Sequence, residues 1–239
     1  MTETPLTVGV LGGMSSESTH EYYRRLDAGV NNARGGHHAA DLVIRSVDFG
    51  EVERFIREDR WADAGRFLTS AAADIEVAGA DVVVMATNTM HRVADEIEAA
   101  LSIPFVHIVD PTAAAVAAAG IDTVGVLGTA AVMEGDFYAD RFADHGIDVV
   151  VPDSEVRRLV DDVIFEELTR GVVRDESKQA YLDVVGDLVK AGAGGVVLGC
   201  TEIEMLVDQS DRPDVPLFDT TALHVERAVE VSLHGIESD

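Results

Sequence analysis

Thr7-Val8-Gly9-Val10-Leu11-Gly12-Gly13 reads as a buried parallel strand that runs into a glycine turn. Its apolar residues follow one another without a polar face, the pattern of a strand covered on both sides. Val8-Gly9-Val10-Leu11-Gly12 returns as Val124-Gly125-Val126-Leu127-Gly128, 116 positions later. Gly79-Ala80 and the strand 81–85 match Gly192-Ala193 and 194–198, 113 positions later. Ile103-Pro104-Phe105, with Asp110 and Thr112 downstream, matches Val215-Pro216-Leu217, with Asp219 and Thr221. Three matches in order at a nearly constant offset, in a unit far longer than a solenoid repeat, indicate two similar α/β halves.

Outward from the first strand, 16–26 has helix character, with Ser, Thr and Glu in its first turn. A second strand is expected at 41–48, a long helical stretch broken once at 51–78, a third strand at 81–85, a helix at 90–101 and a fourth strand at 104–109. This βαβα rhythm predicts an α/β fold with parallel sheets. The halves are expected at 1–115 and 116–239, and the C-terminal helix can pack on the first of them.

The repeat aligns Thr87 with Cys200, each just past a buried strand and before a helix. Ligands of open α/β sheets sit at that edge. Two halves facing each other would set Thr87 and Cys200 on opposite sides of one cleft. Inverting a Cα centre needs such a pair, one group removing a proton and the other returning one to the opposite face.

The 239 residues are enough for one large or two small cores. Asp and Glu number 44 against 18 Lys and Arg, a formal net charge of -26 spread along the chain. A dispersed acidic excess repels itself at low salt and is screened by dissolved cations, which fits a salt-rich cytoplasm. Nucleic acid is excluded as a partner because no basic footprint exists for phosphate. The one cysteine cannot form an internal disulfide. No signal peptide or transmembrane run is read, so a cytoplasmic protein without a membrane partner is expected.

Leu198-Gly199-Cys200-Thr201-Glu202-Ile203 is the strongest local signal. A cysteine at a helix N-terminus would have its thiolate favoured by unpaired N–H groups, with Thr201 and Glu202 supplying a hydroxyl and a carboxylate beside it. The plain alternative is a packed structural cysteine. In Ala86-Thr87-Asn88-Thr89-Met90-His91, Asn88 and Thr89 can bind a carboxylate or cap the following helix. His91 reads as structural. Gly12-Gly13-Met14-Ser15-Ser16-Glu17-Ser18-Thr19 suits an anionic group at a helix start, and Gly128-Thr129 stands at the equivalent place. No nucleotide fingerprint, metal-ligand spacing or G-x-S-x-G elbow is present in the sequence. Lys178 and Lys190 lie in polar helical stretches away from strand ends, so a pyridoxal-phosphate Schiff base is not expected.

These segments together resemble the aspartate/glutamate racemase family, closest to its broad-specificity aspartate/glutamate subgroup. The resemblance also takes in Tyr22-Tyr23, Ser46-Val47-Asp48-Phe49, Met133-Glu134, Asp136-Phe137-Tyr138, Ile164-Phe165-Glu166-Glu167-Leu168 and Phe218-Asp219-Thr220. It implies two Rossmann-like halves related by a pseudo-two-fold duplication, with the active site between them, a homodimer, no cofactor and no metal. It implies Thr87 and Cys200 as the acid/base pair. Substrate contacts carry over to Met14, Ser15, Asn88, Thr89, Thr129, Thr201 and Glu202, with Glu51 as a further candidate. The substrate implied is a small acidic amino acid, L-Glu or L-Asp.

Two positions depart from the family pattern. Thr87 stands where most members carry a second cysteine, and the subgroup tolerates Thr there. A hydroxyl is a poor base but can donate a proton or relay one from water. With Cys200 handling the L-enantiomer, L→D turnover is expected to exceed D→L in initial rate, a purely kinetic asymmetry. Val132 replaces a Thr frequent in relatives, which puts one substrate hydrogen bond in doubt. A one-cysteine decarboxylase or isomerase on the same scaffold, or a non-catalytic amino-acid-binding protein, stays open as an alternative.

Overall fold

The computed structural model of the chain describes residues 4–235. They form two compact units, 4–108 with 224–235, and 109–223.

In the first unit, strands β1 (Val8–Gly12), β2 (Leu42–Ser46), β3 (Val82–Met85) and β4 (Phe105–Val106) make a parallel sheet in the order β2-β1-β3-β4. Between them run α1 (Ser16–Arg34), α2 (Phe49–Arg57), α3 (Trp61–Val77) and α4 (Ala94–Ala100). The expected break in 51–78 falls between α2 and α3, where Asp59 adopts a left-handed φ of 53°. Helix α1 runs past 26 to Arg34 and ends at Gly35, whose N–H bonds the Asn31 carbonyl.

Successive strand residues point to opposite faces. Leu11, Val83 and Met85 pack against Val52, Phe55, Leu68, Ile75 and Ile97 from α2, α3 and α4. Val8, Val10, Val82 and Val84 pack on the other face with Tyr22 and Leu26 of α1. Cover on both faces explains why β1 and β3 are apolar at consecutive positions.

The second unit repeats the plan. Helix α5 (Val109–Ala118) leads into β5 (Thr123–Gly128), α6 (Ala130–Glu134), α7 (Asp136–Asp144), β6 (Asp148–Val150), α8 (Ser154–Glu166), α9 (Asp175–Lys190), β7 (Gly195–Gly199) and β8 (Leu217–Asp219). The sheet is parallel, in the order β6-β5-β7-β8, the same as in the first unit. Leu127, Val196 and Leu198 pack against Val160, Ile164, Tyr181, Val185 and Leu188 of α8 and α9, while α5 lies on β8 and α7 on β6.

The last helix, α10 (Thr220–His234), crosses between the units in sequence. Its Val225, Ala228 and Val231 belong to the first unit's core, beside Val8, Val10 and Tyr22. No helix among the described residues is long and apolar enough to cross a membrane.

Two expected elements differ. The helix at 90–101 opens as a 3-10 turn, Thr89–Val93, before α4 begins. The strand at 104–109 shrinks to Phe105–Val106 because the chain then leaves the ladder: the Ile108 N–H donates to the His91 ring at 3.2 Å.

Candidate active site

In the first unit the register brings Leu11 opposite Met85, and the Ala86 N–H continues the ladder onto the Leu11 carbonyl. The segments after β1 and β3 therefore leave the same sheet edge side by side. One carries Met14 and Ser15, the other Thr87, Asn88 and Thr89. Met14, Ser15, Thr87 and Asn88 are buried.

The β1 segment is held by its own side chains. Gly13 turns with a φ of 90° and its N–H donates to Thr19 Oγ1 at 2.8 Å, and that hydroxyl donates to the Ser15 carbonyl at 2.8 Å. Ser15 caps α1, its Oγ accepting the Ser18 N–H at 3.2 Å. A cap of this kind satisfies one of the first-turn N–H groups of the helix.

Asn88 does not cap the turn that follows it with its side chain. His91 is buried, and its Nδ1 lies 2.7 Å from the Thr87 carbonyl. Glu51 is set apart from this group. It projects from the first turn of α2, is about half exposed, and pairs with Arg54.

In the second unit, Gly128 lies opposite Gly199 in the ladder, so Thr129 and Cys200 leave adjacent strands at the equivalent edge. Matching β3 with β7 in register places Thr87 and Cys200 at the same point of the two halves, two residues past Met85 and Leu198. The half-buried Cys200 thiol donates to Glu202 Oε2 at 3.1 Å, and Thr201 Oγ1 donates to the same oxygen at 2.6 Å. Glu202 is itself buried.

The thiolate expected from a helix N-terminus is not what this geometry favours. Only a three-residue 3-10 turn, Ile203–Met205, follows Cys200. Burial pushes the thiol pKa well above its ordinary value, and the Glu202 charge and hydrogen bond push it further. A carboxylate that accepts the thiol proton stabilises the thiol and opposes a second negative charge beside it.

Thr129 caps α6. The Ala130 N–H, where an incoming anion would bind, is taken by Asp161 Oδ1 at 2.6 Å. Val132, in the position of the family Thr, is buried.

Asp161 was not singled out from the sequence, and neither was Tyr138 as a site group. The Asp161 carboxyl is raised above its usual range by burial, offset in part by the Ala130 N–H, and its charge acts on Cys200. The Tyr138 phenol is buried and shifted strongly upward, by burial first and by Cys200 second. Asp161 did leave a signal: it adjoins Val160 and lies three residues before Ile164, on the stripe of α8 that faces the core. Both lysines lie on α9, Lys178 paired with Asp211 and Lys190 with Asp187.

This chain has relatives of similar architecture. A Yersinia pestis protein of solved structure, assigned as an Asp/Glu racemase, is 43% identical with a TM-score of 0.90, covering 96% of this chain and all of that one. An aspartate racemase homologue from Pyrococcus horikoshii is 31% identical with a TM-score of 0.81, covering 95% of this chain and 98% of that one. The glutamate racemase of Herpetosiphon aurantiacus is 33% identical over 149 residues, 60% of this chain, and the match spans 57% of that relative's length. Residues 11–228, nearly the whole chain, match the Asp/Glu/Hydantoin racemase family. The chain belongs to that family, and membership supports amino-acid racemisation.

Proposed function

We propose that the protein interconverts the enantiomers of an acidic amino acid, aspartate or glutamate, without a cofactor. Cys200 and Thr87 are the proton-transfer groups. The observation that carries this reading is the Cys200–Glu202 hydrogen bond at the end of β7, matched in the other half by a hydroxyl at the end of β3.

In the L→D direction the Cys200 thiol first passes its proton to Glu202. The thiolate then takes the substrate α-proton: the Cα–H bond breaks, an S–H bond forms, and the electron pair spreads into the α-carboxylate. Thr87 delivers its hydroxyl proton, or one from water that it orients, to the opposite face of the carbon. Solvent restores that proton, and Glu202 releases the one it took from Cys200 to solvent, which returns both groups to their starting state. Positioned transfers of this kind contribute about 10²–10⁴-fold each. Met14, Ser15, Asn88, Thr89, Thr129 and Thr201 are the proposed substrate contacts. Their hydroxyl and amide groups suit a small dicarboxylate. Glu202 is assigned to the thiol, and Glu51, turned to solvent, is the least supported contact.

Enantiomers have equal free energy in water, so kcat/KM is the same in both directions. The asymmetry expected from a Thr/Cys pair is therefore confined to saturating substrate, where kcat and KM differ individually.

The test is incubation in deuterated water at high KCl, with no pyridoxal phosphate, of L-Glu, L-Asp and their D-forms separately, with Cys200→Ser as control. α-Proton exchange with inversion, lost in the control, supports the proposal. No exchange with any of the four rejects an acidic substrate.

A further inference from the structure

Three histidines are buried in the first unit, His91, His107 and His224, and the proton transfers above use none of them. Their hydrogen bonds define roles for two. The Thr87 carbonyl can only accept, so His91 Nδ1, 2.7 Å away, carries a proton. The Ile108 N–H can only donate, so His91 Nε2, 3.2 Å away, is bare. One neutral tautomer satisfies both partners, while a charged ring would set N–H against N–H at Ile108. The same logic applies to His224. Its Nε2 lies 2.8 Å from the Val106 carbonyl and donates, so its Nδ1 accepts the Tyr22 hydroxyl at 2.6 Å.

The bonds form a chain across the unit. Tyr22 of α1 holds His224 of α10, His224 holds Val106 of β4, the backbone runs two residues to Ile108, Ile108 holds His91, and His91 holds Thr87. The rings of His107 and Phe105 pack against His91, with centroids at 4.5 and 5.7 Å, and His224 at 6.0 Å. This fixes the plane of the imidazole as well as its two polar ends.

We propose that His91 is a positioning residue for Thr87: its imidazole clamps the Thr87 carbonyl to the segment that leaves β4, and the Tyr22–His224 pair braces that segment from two helices. The proposal rests on the reading of Thr87 as the reprotonating group. Thr87 stands past the end of its strand and is followed only by a 3-10 turn. The clamp gives its hydroxyl a defined direction, and a misplacement of about 1 Å at a transfer group costs about 10²-fold in rate.

The experiment compares wild type with His91→Leu and His91→Gln. Gln offers an amide NH2 donor group and a carbonyl acceptor at its tip, enough to replace the N–H and the bare nitrogen of neutral imidazole. Long-range nitrogen–proton correlation in the wild type is expected to show a protonated Nδ1 and a bare Nε2. His91→Leu is expected to lower kcat for L-Glu about 10- to 100-fold with KM little changed. The isotope effect from α-deuterated substrate should shrink and the solvent isotope effect should grow, because delivery from the Thr87 side becomes the slow step. His91→Gln should restore rate and isotope effects together. Loss of rate with both isotope effects unmoved, or a charged or Nε2–H ring in the wild type, overturns the proposal.

If wild type neither exchanges nor inverts any acidic amino acid, the racemase reading fails on its own. The clamp is then decided by the ring tautomer and by hydrogen exchange at Ile108. Protection there should fall in His91→Leu and return in His91→Gln, and unchanged protection in the Leu variant overturns the clamp.

Discussion

A thiol that donates to a buried carboxylate behaves differently with pH from one that faces a cation. Cys200 has Glu202 at 3.1 Å, and Asp161 adds a second negative charge to its surroundings. Burial and these charges leave little thiolate in the free protein at neutral pH. On the proposed mechanism the proton moves within the Cys200–Glu202 pair, so the reactive form has the same net protonation as the resting one and kcat/KM should stay level across the neutral range. A rise of about tenfold per pH unit would mean that the thiol proton leaves to solvent instead. Both directions share one net protonation state, so both profiles should have the same shape. Replacing Glu202 by Gln removes the nearer charge and the acceptor that favours the thiol, which lowers the thiol pKa. Alkylation of Cys200 by iodoacetamide near pH 7 should be faster in Glu202→Gln than in wild type, even though its racemisation is slower. Alkylation that is unchanged or slower would show that Glu202 does not set the state of the thiol.

At the scale of elements, two glycine turns, Gly13 after β1 and Gly192 before β7, differ in how tightly they are enclosed. Gly13 and Gly192 have similar positive φ values, 90° and 109°. A Cβ on Gly13 would fall 2.2 Å from the Val47 carbonyl, whereas one on Gly192 would meet nothing within 4 Å. Gly192→Ala is therefore expected to cost only the left-handed backbone term, about 1–2 kcal/mol. Gly13→Ala adds a clash with main chain that cannot swing away, and should cost about 3 kcal/mol or more. Urea unfolding of the two variants measures the difference, and equal losses would mean that the β1 turn can open at little cost. Much of this scale was legible in the sequence. Apolar runs beside glycines marked β1, β3, β5 and β7, and the 113-residue offset aligned Thr87 with Cys200. What local pattern could not carry was partnership across the chain. Asp161 reaches the start of α6 from 31 residues away, His91 draws Ile108 out of the β4 ladder, and Glu202 folds back on Cys200 within a turn that never becomes a helix. The first two depend on where another element packs, which periodicity does not encode; the third is a contact between residues two apart, set by the backbone of the turn rather than by its residue types.

For the whole molecule the dominant electrostatic fact is imbalance. Even if each of the 18 Lys and Arg neutralised one carboxylate, 26 of the 44 negative charges would be left unbalanced. The pairs that do form are mostly short-range and exposed, such as Arg54–Glu51, Arg57–Glu53 and Lys190–Asp187, and such pairs are worth about 0–1 kcal/mol each. Repulsion among the remainder is therefore the larger effect, and salt should stabilise the fold. A folded chain of 25.5 kDa exposes about 10,000 Å², so one net charge falls on about every 400 Å², a spacing near 20 Å. The Debye length is about 30 Å at 0.01 M salt, about 10 Å at 0.1 M and about 3 Å at 1 M. Screening between neighbouring net charges is thus largely complete by about 0.1 M, where the Debye length is already about half their spacing. The thermal midpoint in KCl should climb steeply up to that concentration and then flatten. A midpoint that falls with the first additions of salt would mean that the ion pairs outweigh the repulsion. One that climbs as steeply well above about 0.1 M as below it would assign the stabilisation to bound cations or strengthened apolar burial, since screening would by then be exhausted.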